Sequence, residues 1–467
     1  MYRNLLLVGG MALCLAGCPR PQTYRRPEAP VPTVWPEGAI NQAGAPPDAP
    51  TAHQVEWQSF FTDARLQSVI EMALANNRDL RMATLNVERV ENFYRIQRVE
   101  RYPSVSAAAN GQFYRVPRQV SSTDEAQTIS QYDISLGVTS WELDLFGRIR
   151  SLTTAALEQY LATQQAQSAT QITVVGAVAN TYLTLAADRD NLRLAQSTLD
   201  AQQSTYDLIR QTRDFGVASD LDLRQAESQV EAARVDIARF AGQLALDENA
   251  LNLLVGAPVP ANLLPGELSS AGTLKDISAG LPSDVLLRRP DILLAEHQLK
   301  AAYGNIGAAR ALFFPRISLT GAGGITSSHL SDLFEPGAGA WRFVPQVVLP
   351  IFDSGTRQAN YRVAEVDRDL AVAEYERAIQ SAFREVSDAL ALRSRLVEQQ
   401  TAQEALVNSL QETYRLSEAR YNAGIDSYLS VLVAQRSLYL AQQGLLGVRL
   451  ARLNNLVNLY KVLGGGA

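Results

Sequence analysis

Few residues in this chain have the types and spacing that catalysis requires. The histidines, His53, His297 and His329, lie far apart in the sequence and form no His-x-x-x-His pattern. The sequence contains no Gly-x-Ser-x-Gly, no His-Glu-x-x-His, no phosphate-binding loop and no dinucleotide fingerprint. We therefore expect no catalytic residue, no metal site and no cofactor apart from a covalent lipid.

Cys18 is the residue whose setting points most directly to a chemical reaction. The N-terminus, "MYRNLLLVGGMALCLAGC", combines Arg3 with a short apolar segment from Leu5 to Leu15, as export signals do. The stretch from Leu15 to Cys18 matches the bacterial lipobox, which implies cleavage before Cys18 and attachment of acyl chains to its sulfur and amine. Pro19 follows instead of aspartate, as expected for a lipoprotein of the outer membrane. The alternative is an ordinary signal peptide with a chance cysteine.

Composition excludes several classes of protein. The net charge of −6 disfavours nucleic acid binding, which would favour a basic face. The two cysteines, Cys14 and Cys18, both lie in the N-terminal segment, so the mature chain cannot form an internal disulfide. No run of 18 apolar residues follows the N-terminus, which disfavours a transmembrane helix in the mature chain.

Three aspartates, Asp220, Asp222 and Asp426, lie close to two glycines that interrupt long helical patterns, Gly216 and Gly424. Carboxylates at such positions either cap the next helix or place negative charge at the end of a helical hairpin. Glycine fits a tight turn because it adopts positive φ without steric cost. The sequence leaves both roles open for the aspartates.

The two glycines belong to an internal repeat. They are 208 residues apart (424 − 216), and the same shift aligns Tyr206 with Tyr414, Ala226 with Ala434 and Gly256 with Gly464. Each half reads as helix, strand, strand, very long helix, turn and long helix. The sequence therefore predicts two copies of one structural unit, each with a helical hairpin that ends in a glycine turn.

The strands are indicated by a change of period. In "SQYDISLGVTSWEL", apolar residues from Tyr132 to Val138 alternate with small or polar ones, and "WRFVPQVVL" places Trp341, Phe343 and Val347 on one face. The helical pattern from about Arg148 contains no proline for roughly 65 residues, which predicts a helix of about 100 Å.

These patterns predict a mainly α chain with a smaller β part and the following organisation. The predicted segments are a signal peptide (1–17), a lipidated Pro-rich extension (18–62), a first repeat (63–256, hairpin 104–142, tip near 214–220), an equatorial connector (257–282) and a second repeat (283–467, hairpin 316–350, tip near 422–428).

Four strands of about ten residues are long enough to cross an outer membrane but too few to close into a barrel. An open edge in lipid leaves backbone groups unsatisfied, so several chains must pool their strands. Two chains give eight strands and a filled interior, whereas three give twelve strands and a lumen. The alternatives are a soluble β-sandwich beside a helical bundle, and a lipid-anchored coiled-coil protein that conducts nothing.

The repeat, the lipobox, "YPSVS" and "FPRIS" before the hairpins, "SWELDLFGRIR" and "LPIFDSGTRQA" after them, and "ARYNAGIDSYLSVLVAQRSL" resemble the TolC-like outer membrane factor family, in particular its OprM-like, NodT-type efflux lipoproteins. The resemblance implies a homotrimer with a twelve-stranded transmembrane β-barrel that continues into a long periplasmic α-helical barrel. It also implies a passive exit duct for drugs or other solutes. The implied partners are a periplasmic adaptor (a membrane fusion protein) and an inner membrane pump, usually of the resistance-nodulation-division type. Metal efflux and type I protein secretion remain alternative uses.

The resemblance also implies roles at the periplasmic tip. A leucine five places after the second turn glycine narrows the aperture in relatives, and Leu429 fits that position. An acidic ring further along is absent, because Val433 occupies its position. Asp222 and Tyr421 match a pair that holds some relatives closed, but Asp426 stands where those relatives have an arginine.

The aspartates give a separate expectation for the mouth of the duct. Three copies each of Asp220, Asp222 and Asp426 would place roughly nine carboxylates there, which would favour cations and raise one another's pKa.

Overall fold

The computed structural model describes residues 23–35, 50–122, 124–272, 274–275, 277–278 and 286–466. The chain divides into two compact units. We call the first the strand unit; it contains the described parts of Met1–Glu28, Val87–Thr163 and Ala295–Tyr375. We call the second the helical unit; it contains the described parts of Ala29–Asn86, Gln164–Leu294 and Glu376–Ala467.

The helices differ widely in length. In chain order they are α1 (Trp57–Phe60), α2 (Ala64–Asn76), α3 (Arg78–Val99), α4 (Arg148–Asp214), α5 (Asp220–Val255), α6 (Leu268–Ala271), α7 (Pro290–Ala311), α8 (Thr356–Asn422) and α9 (Tyr428–Val462). Helices α4 and α8 contain 67 residues each, which corresponds to about 100 Å. Among the described helices, none has an apolar stretch long enough to cross a membrane.

The helix boundaries follow local signals in the sequence. Asp63 caps α2 by accepting a hydrogen bond from the N–H of Arg65 at 2.9 Å. Asn77 separates α2 from α3, where its side chain accepts from the N–H of Leu80 and donates to the carbonyl of Leu254. Asn77 therefore marks the break between the two helices.

The two hairpin turns have the same backbone geometry. Gly216 has φ 74° and Gly424 has φ 70°, as predicted for glycines at these positions. In each turn, the N–H that follows the glycine donates to the carbonyl five residues earlier, at 2.9 Å. Ser219 and Ser427, again 208 residues apart (427 − 219), are the N-caps of the helices that follow.

The strands form a single antiparallel sheet in the order β1-β2-β3-β4. Their bounds are Val105–Val116 for β1, Gln127–Glu142 for β2, Arg316–Ser327 for β3 and Gly339–Val348 for β4. Strand β2 is longer than the predicted ten residues or so. The described residues contain no second sheet packed on this one, so the expectation of a β-sandwich, held as an alternative, is wrong.

The register of the sheet separates two kinds of side chain. Leu136 lies opposite Ala107 on one side and Gly323 on the other, while Ser135 lies opposite Ala108 and Gly324. We call the face of Leu136 the apolar face; it carries Ile134, Leu136, Val138, Ile317, Leu319, Ile325, Trp341, Phe343 and Val347. The polar face carries Ser106, Asn110, Gln112, Gln131, Asp133, Ser135, Thr320, Thr326 and Arg342, and these residues line a concavity of about 570 Å³. The predicted alternation is therefore confirmed.

Gly424 allows a direct test of the turn geometry. A Cβ at Gly424 would contact nothing within 4 Å, so Gly424→Ala acts through the backbone alone. We expect it to lower the free energy of unfolding by about 1–2 kcal/mol, because alanine is strained at positive φ. The measurement is denaturant unfolding of the full chain.

The matched control is Gly447→Ala in α9, where an added Cβ also meets nothing. There the substitution should stabilise the helix by about 0.5–1 kcal/mol. Equal effects of the two substitutions would contradict the assigned turn geometry.

Candidate functional site

The two helical hairpins meet near their tips in a buried apolar cluster. This tip cluster consists of Ile209 of α4, Ala226 of α5, and Tyr428 and Val431 of α9. Burial of apolar surface therefore joins the first hairpin to the second. The partly buried side chains packed around it are Tyr206, Ala218, Leu223, Tyr414, Tyr421 and Leu432.

Tyr428 is the largest side chain of the tip cluster. It is 2% exposed, and its ring centroid lies 5.7 Å from that of Tyr421. Its hydroxyl is buried and has no hydrogen-bond partner in the described ranges of the chain. Burial, assisted by the neighbouring Tyr421 and Tyr414, raises the pKa of Tyr428 to about 12, so the ring is neutral at physiological pH.

Asp222 belongs to this region as predicted, but its hydrogen bonds stay within its own turn. Its carboxylate accepts from the hydroxyl of Ser219 at 2.7 Å and from the N–H of Ser219 at 3.1 Å, which completes a capping box. The pKa of Tyr421 is raised, first by burial and then by the negative charge of Asp222. The structure therefore brings Asp222 and Tyr421 together while giving Asp222 a capping role.

Asp220 and Asp426 each pair with an arginine of the preceding helix. Arg213 lies 2.9 Å from Asp220, and Arg420 lies 2.6 Å from Asp426 with a second hydrogen bond at 3.0 Å. Arg420 lowers the pKa of Asp426 within one chain, and the expectation that carboxylates from three copies raise one another's pKa stays a prediction. Each arginine precedes its turn glycine, whereas the aspartate with which it pairs follows that glycine.

Leu429 and Val433 lie one helical turn apart at the start of α9, on a face that is not buried in the chain. Leu429 is 51% exposed and Val433 is 57% exposed, in contrast to the buried Tyr428 beside them. Leu440 continues this exposed apolar stripe further along α9. A gating role for Leu429 requires such exposure, and it stays a prediction.

Cys18 lies outside the described residues, but the segment that follows it is attached to the strand unit. Tyr24 donates a hydrogen bond to Glu296 of α7 at 2.8 Å. Arg26 binds both carboxylate oxygens of Glu296, at 2.7 and 3.2 Å, and Lys300 lies 3.1 Å from the same carboxylate. We call this set of contacts the N-terminal clasp.

The clasp is built around a buried charge. The side chain of Glu296 is 3% exposed, and a carboxylate at that depth must be paired to stay ionised. Burial alone would raise its pKa, but the hydrogen bonds from Arg26, Tyr24 and Lys300 outweigh burial and lower it. The attachment of residues 24–26 to the strand unit therefore depends on the ionised form of Glu296.

A sheet with one apolar and one polar face, whose strands lead into helices of about 100 Å, is the wall segment of a membrane channel that combines a β-barrel with a helical extension. The comparisons with known proteins agree. The chain belongs to the outer membrane efflux protein family, whose model matches residues 69–257 and 281–465.

Similar proteins extend over almost the whole chain. It is 48% identical over 466 residues to the toluene efflux pump outer membrane protein TtgC of Pseudomonas putida, covering 100% of this chain and 96% of the relative. It is 43% identical over 457 residues to the outer membrane protein OprJ of Pseudomonas aeruginosa, covering 98% and 94%.

Solved structures give the same result for the fold. The open state of the MtrE outer membrane channel of Neisseria gonorrhoeae is 37% identical, with a TM-score of 0.87, and covers 96% of this chain and 98% of that one. The protein is therefore an outer membrane protein with the channel fold, and the predicted family is confirmed.

The clasp predicts a pH dependence. Because the pKa of Glu296 is lowered in the folded protein, the ionised carboxylate stabilises the fold fully above the ordinary glutamate pKa of about 4.3. This stabilisation is lost as the pH falls through the lower pKa that Glu296 has in the folded protein. A nitroxide label at the exposed Glu28, introduced by Glu28→Cys, should become more mobile below about pH 4 in spin-resonance spectra.

Glu296→Gln should make this label mobile already at pH 7, because the amide cannot replace the ion pairs. The control is Glu88→Gln, which changes an exposed glutamate of α3. A label that is equally ordered in Glu296→Gln and in the unsubstituted protein would contradict the clasp.

Proposed function

We propose that this protein is the outer membrane exit duct of a tripartite efflux pump. It conducts drugs or other solutes passively from the periplasm to the exterior, and an adaptor and an inner membrane pump open it at its periplasmic tip. Family membership and relatives whose names describe toluene, solvent and antibiotic efflux support this function.

The observation that carries the proposal is the four-stranded sheet with two free edges. Within the described part of the chain, β1 pairs only with β2, and β4 pairs only with β3. In a bilayer each unpaired backbone group costs several kcal/mol, so the edges must pair with other copies. Three copies provide twelve strands, whose polar faces would line a lumen. A homotrimer is therefore the proposed assembly.

The position of Leu136 on the apolar face tests which side of the sheet meets lipid. Leu136→Arg should destabilise the barrel by about 2–4 kcal/mol, because it places a charge in the hydrocarbon region. Ser135→Arg, one residue away on the polar face, should change stability little. Urea unfolding in lipid vesicles measures both, and equal losses would contradict the proposed lumen.

Leu429 is proposed as the constriction at the tip, with Val433 one turn behind it. The local chemistry favours an apolar constriction, since Asp426 is paired with Arg420 and Val433 carries no charge. Asp220 and Asp222 would then act mainly through the structure of the first turn.

Removing this constriction should increase flow through the duct. Leu429→Ala should raise single-channel conductance in planar bilayers and antibiotic leakage into cells. Because the side chain is half exposed, the fold should be preserved. Leu440→Ala, an equally exposed leucine on the same stripe, is the control. An unchanged current in Leu429→Ala would exclude Leu429 as the gate.

The same bilayer measurement separates the remaining alternatives. A lack of measurable conductance would favour a lipid-anchored structural protein. Ducts for metal efflux or protein secretion would conduct, and co-purification of the inner membrane partner distinguishes them.

Acylation of Cys18 is proposed from the lipobox and is supported by the clasp, which holds residues 24–26 on the membrane-spanning unit. Mass spectrometry of the mature N-terminal peptide tests it.

A further inference from the structure

A cavity lies where the membrane-spanning strands continue into helices. It has a volume of about 410 Å³ and is bounded by the start of α4 and the end of α7. Helix α4 begins at Arg148, shortly after β2 ends at Glu142, and α7 ends at Ala311, shortly before β3 begins at Arg316. The cavity is therefore at the periplasmic end of the two central strands, away from the edges at which copies must pair.

The lining of this cavity is basic and aromatic. It includes Arg150 and Ser151 of α4 and Arg310 of α7. Its aromatic part is formed by Phe146 and Phe314, whose rings stack with centroids 4.8 Å apart. Among the described residues that line it, none is acidic. The cavity lining therefore carries two positive charges, and the carboxylate of Asp144, which precedes it in the chain, accepts hydrogen bonds from the backbone N–H groups of Ile149 and Arg150.

Arg310 is held in a way that favours an anion. Its buried Nε has no hydrogen-bond partner among the residues that the structure describes, and its guanidinium lies over the ring of Phe314, 6.0 Å from the centroid. A cation that is partly removed from water and lacks a carboxylate gains more from a bound anion than a solvated cation does. Guanidinium groups bind phosphate oxygens with two parallel hydrogen bonds.

Close helix packing keeps the cavity in shape. A Cβ at Gly307 would lie 2.6 Å from the hydroxyl oxygen of Ser151, and a Cβ at Gly304 would lie 3.0 Å from Ala155. The absence of side chains at these two positions of α7 lets α4 approach closely. Ser151 and Arg310 consequently line the same cavity.

The N-terminal clasp indicates which side of the protein the cavity faces. Tyr24 packs edge-to-face on Tyr303, with centroids 5.8 Å apart, and Tyr303 also lines the cavity. Glu296, Tyr303 and Arg310 are spaced by seven residues, so they share one side of α7. The segment that follows the proposed lipid anchor therefore lies on the side of α7 that carries the cavity. An acylated N-terminus belongs on the lipid side of the barrel, not in its lumen.

Exposed apolar residues in the strand-to-helix connections fit the same location. Leu145, which precedes the lining residue Phe146, is 67% exposed. Phe352, in the corresponding strand-to-helix connection before α8, is 85% exposed. Aromatic and aliphatic side chains beside arginines are typical of the boundary between hydrocarbon and headgroups.

We propose that this cavity binds the phosphate group of a phospholipid in the periplasmic leaflet of the outer membrane. Arg150 and Arg310 bind the phosphate oxygens, and the hydroxyl of Ser151 donates a further hydrogen bond. The stacked rings of Phe146 and Phe314 contact the glycerol and the first acyl carbons. The proposal rests on the outer membrane location of the protein and on the proposed acylation of Cys18, and it is independent of whether the protein conducts.

The test compares lipid binding in matched variants of the full-length protein. The double variant Arg150→Gln/Arg310→Gln removes both charges from the cavity. The control, Arg81→Gln/Arg89→Gln, removes the same charge from the exposed face of α3. Non-covalently bound lipid is first removed from each protein. Native mass spectrometry then measures binding of phosphatidylglycerol, of diacylglycerol with the same acyl chains, and of inorganic phosphate. Thermal unfolding verifies that each variant is folded.

We expect the unsubstituted protein and the control to bind phosphatidylglycerol at least about tenfold more tightly than the cavity variant, as the loss of charge-assisted hydrogen bonds implies. Diacylglycerol should bind weakly to all three proteins. Equal affinities of the folded cavity variant and the control would overturn the proposal. Displacement of the lipid by millimolar inorganic phosphate would overturn it too, because the ligand would then be a soluble anion.

Conductance recorded on the same samples keeps this proposal separate from the proposed function. If the cavity variant loses lipid binding without a change in conductance, the lipid site is supported and the proposed duct is not contradicted. A protein that binds the lipid but does not conduct would contradict the duct and not the lipid site.

Discussion

The free edges of the sheet are the constraint on which the rest of the structure depends. Four strands present one unpaired row of backbone groups along β1 and another along β4. Water could satisfy these groups, but hydrocarbon cannot. The apolar side chains that face outward are compatible with lipid only if both edges are paired. Insertion of the sheet into lipid therefore requires assembly with other copies.

The two copies of the internal repeat share their turn geometry but differ in the ion pairs at their turns. Both hairpin turns use a left-handed glycine and a serine N-cap, and an arginine–aspartate pair bridges each turn. The pairs are not equivalent, however, because Arg213 reaches Asp220 while Arg420 reaches Asp426. Neither pair crosses from one hairpin to the other. Near the tips, the hairpins of one chain instead meet in the tip cluster around Tyr428, which is apolar and indifferent to salt. Further along, Tyr439 of α9 donates a hydrogen bond to Asp236 of α5 at 2.9 Å.

Much of the fold could be predicted from the sequence because its signals are local. Glycine at positive φ, proline at strand starts and the alternation around Leu136 each act over a few residues. The clasp could not be predicted, since Tyr24 and Glu296 are separated by 272 positions and neither has an unusual neighbourhood. The arginine partners of Asp220 and Asp426 were within reach, because they lie on the other side of the same turn. The basic cavity depends on two helices meeting at Gly304 and Gly307, which no single segment reveals.

The clasp also imposes an order on biogenesis. Tyr24 and Arg26 are synthesised and exported long before Glu296 emerges, so their partner does not exist when the N-terminus first reaches the membrane. Any acylation near the N-terminus would therefore precede the fastening of that segment to the second repeat. A chain in transit would be tethered by its lipid while its body remains free to find other copies. Closure of the clasp would then mark a subunit whose second half has matured.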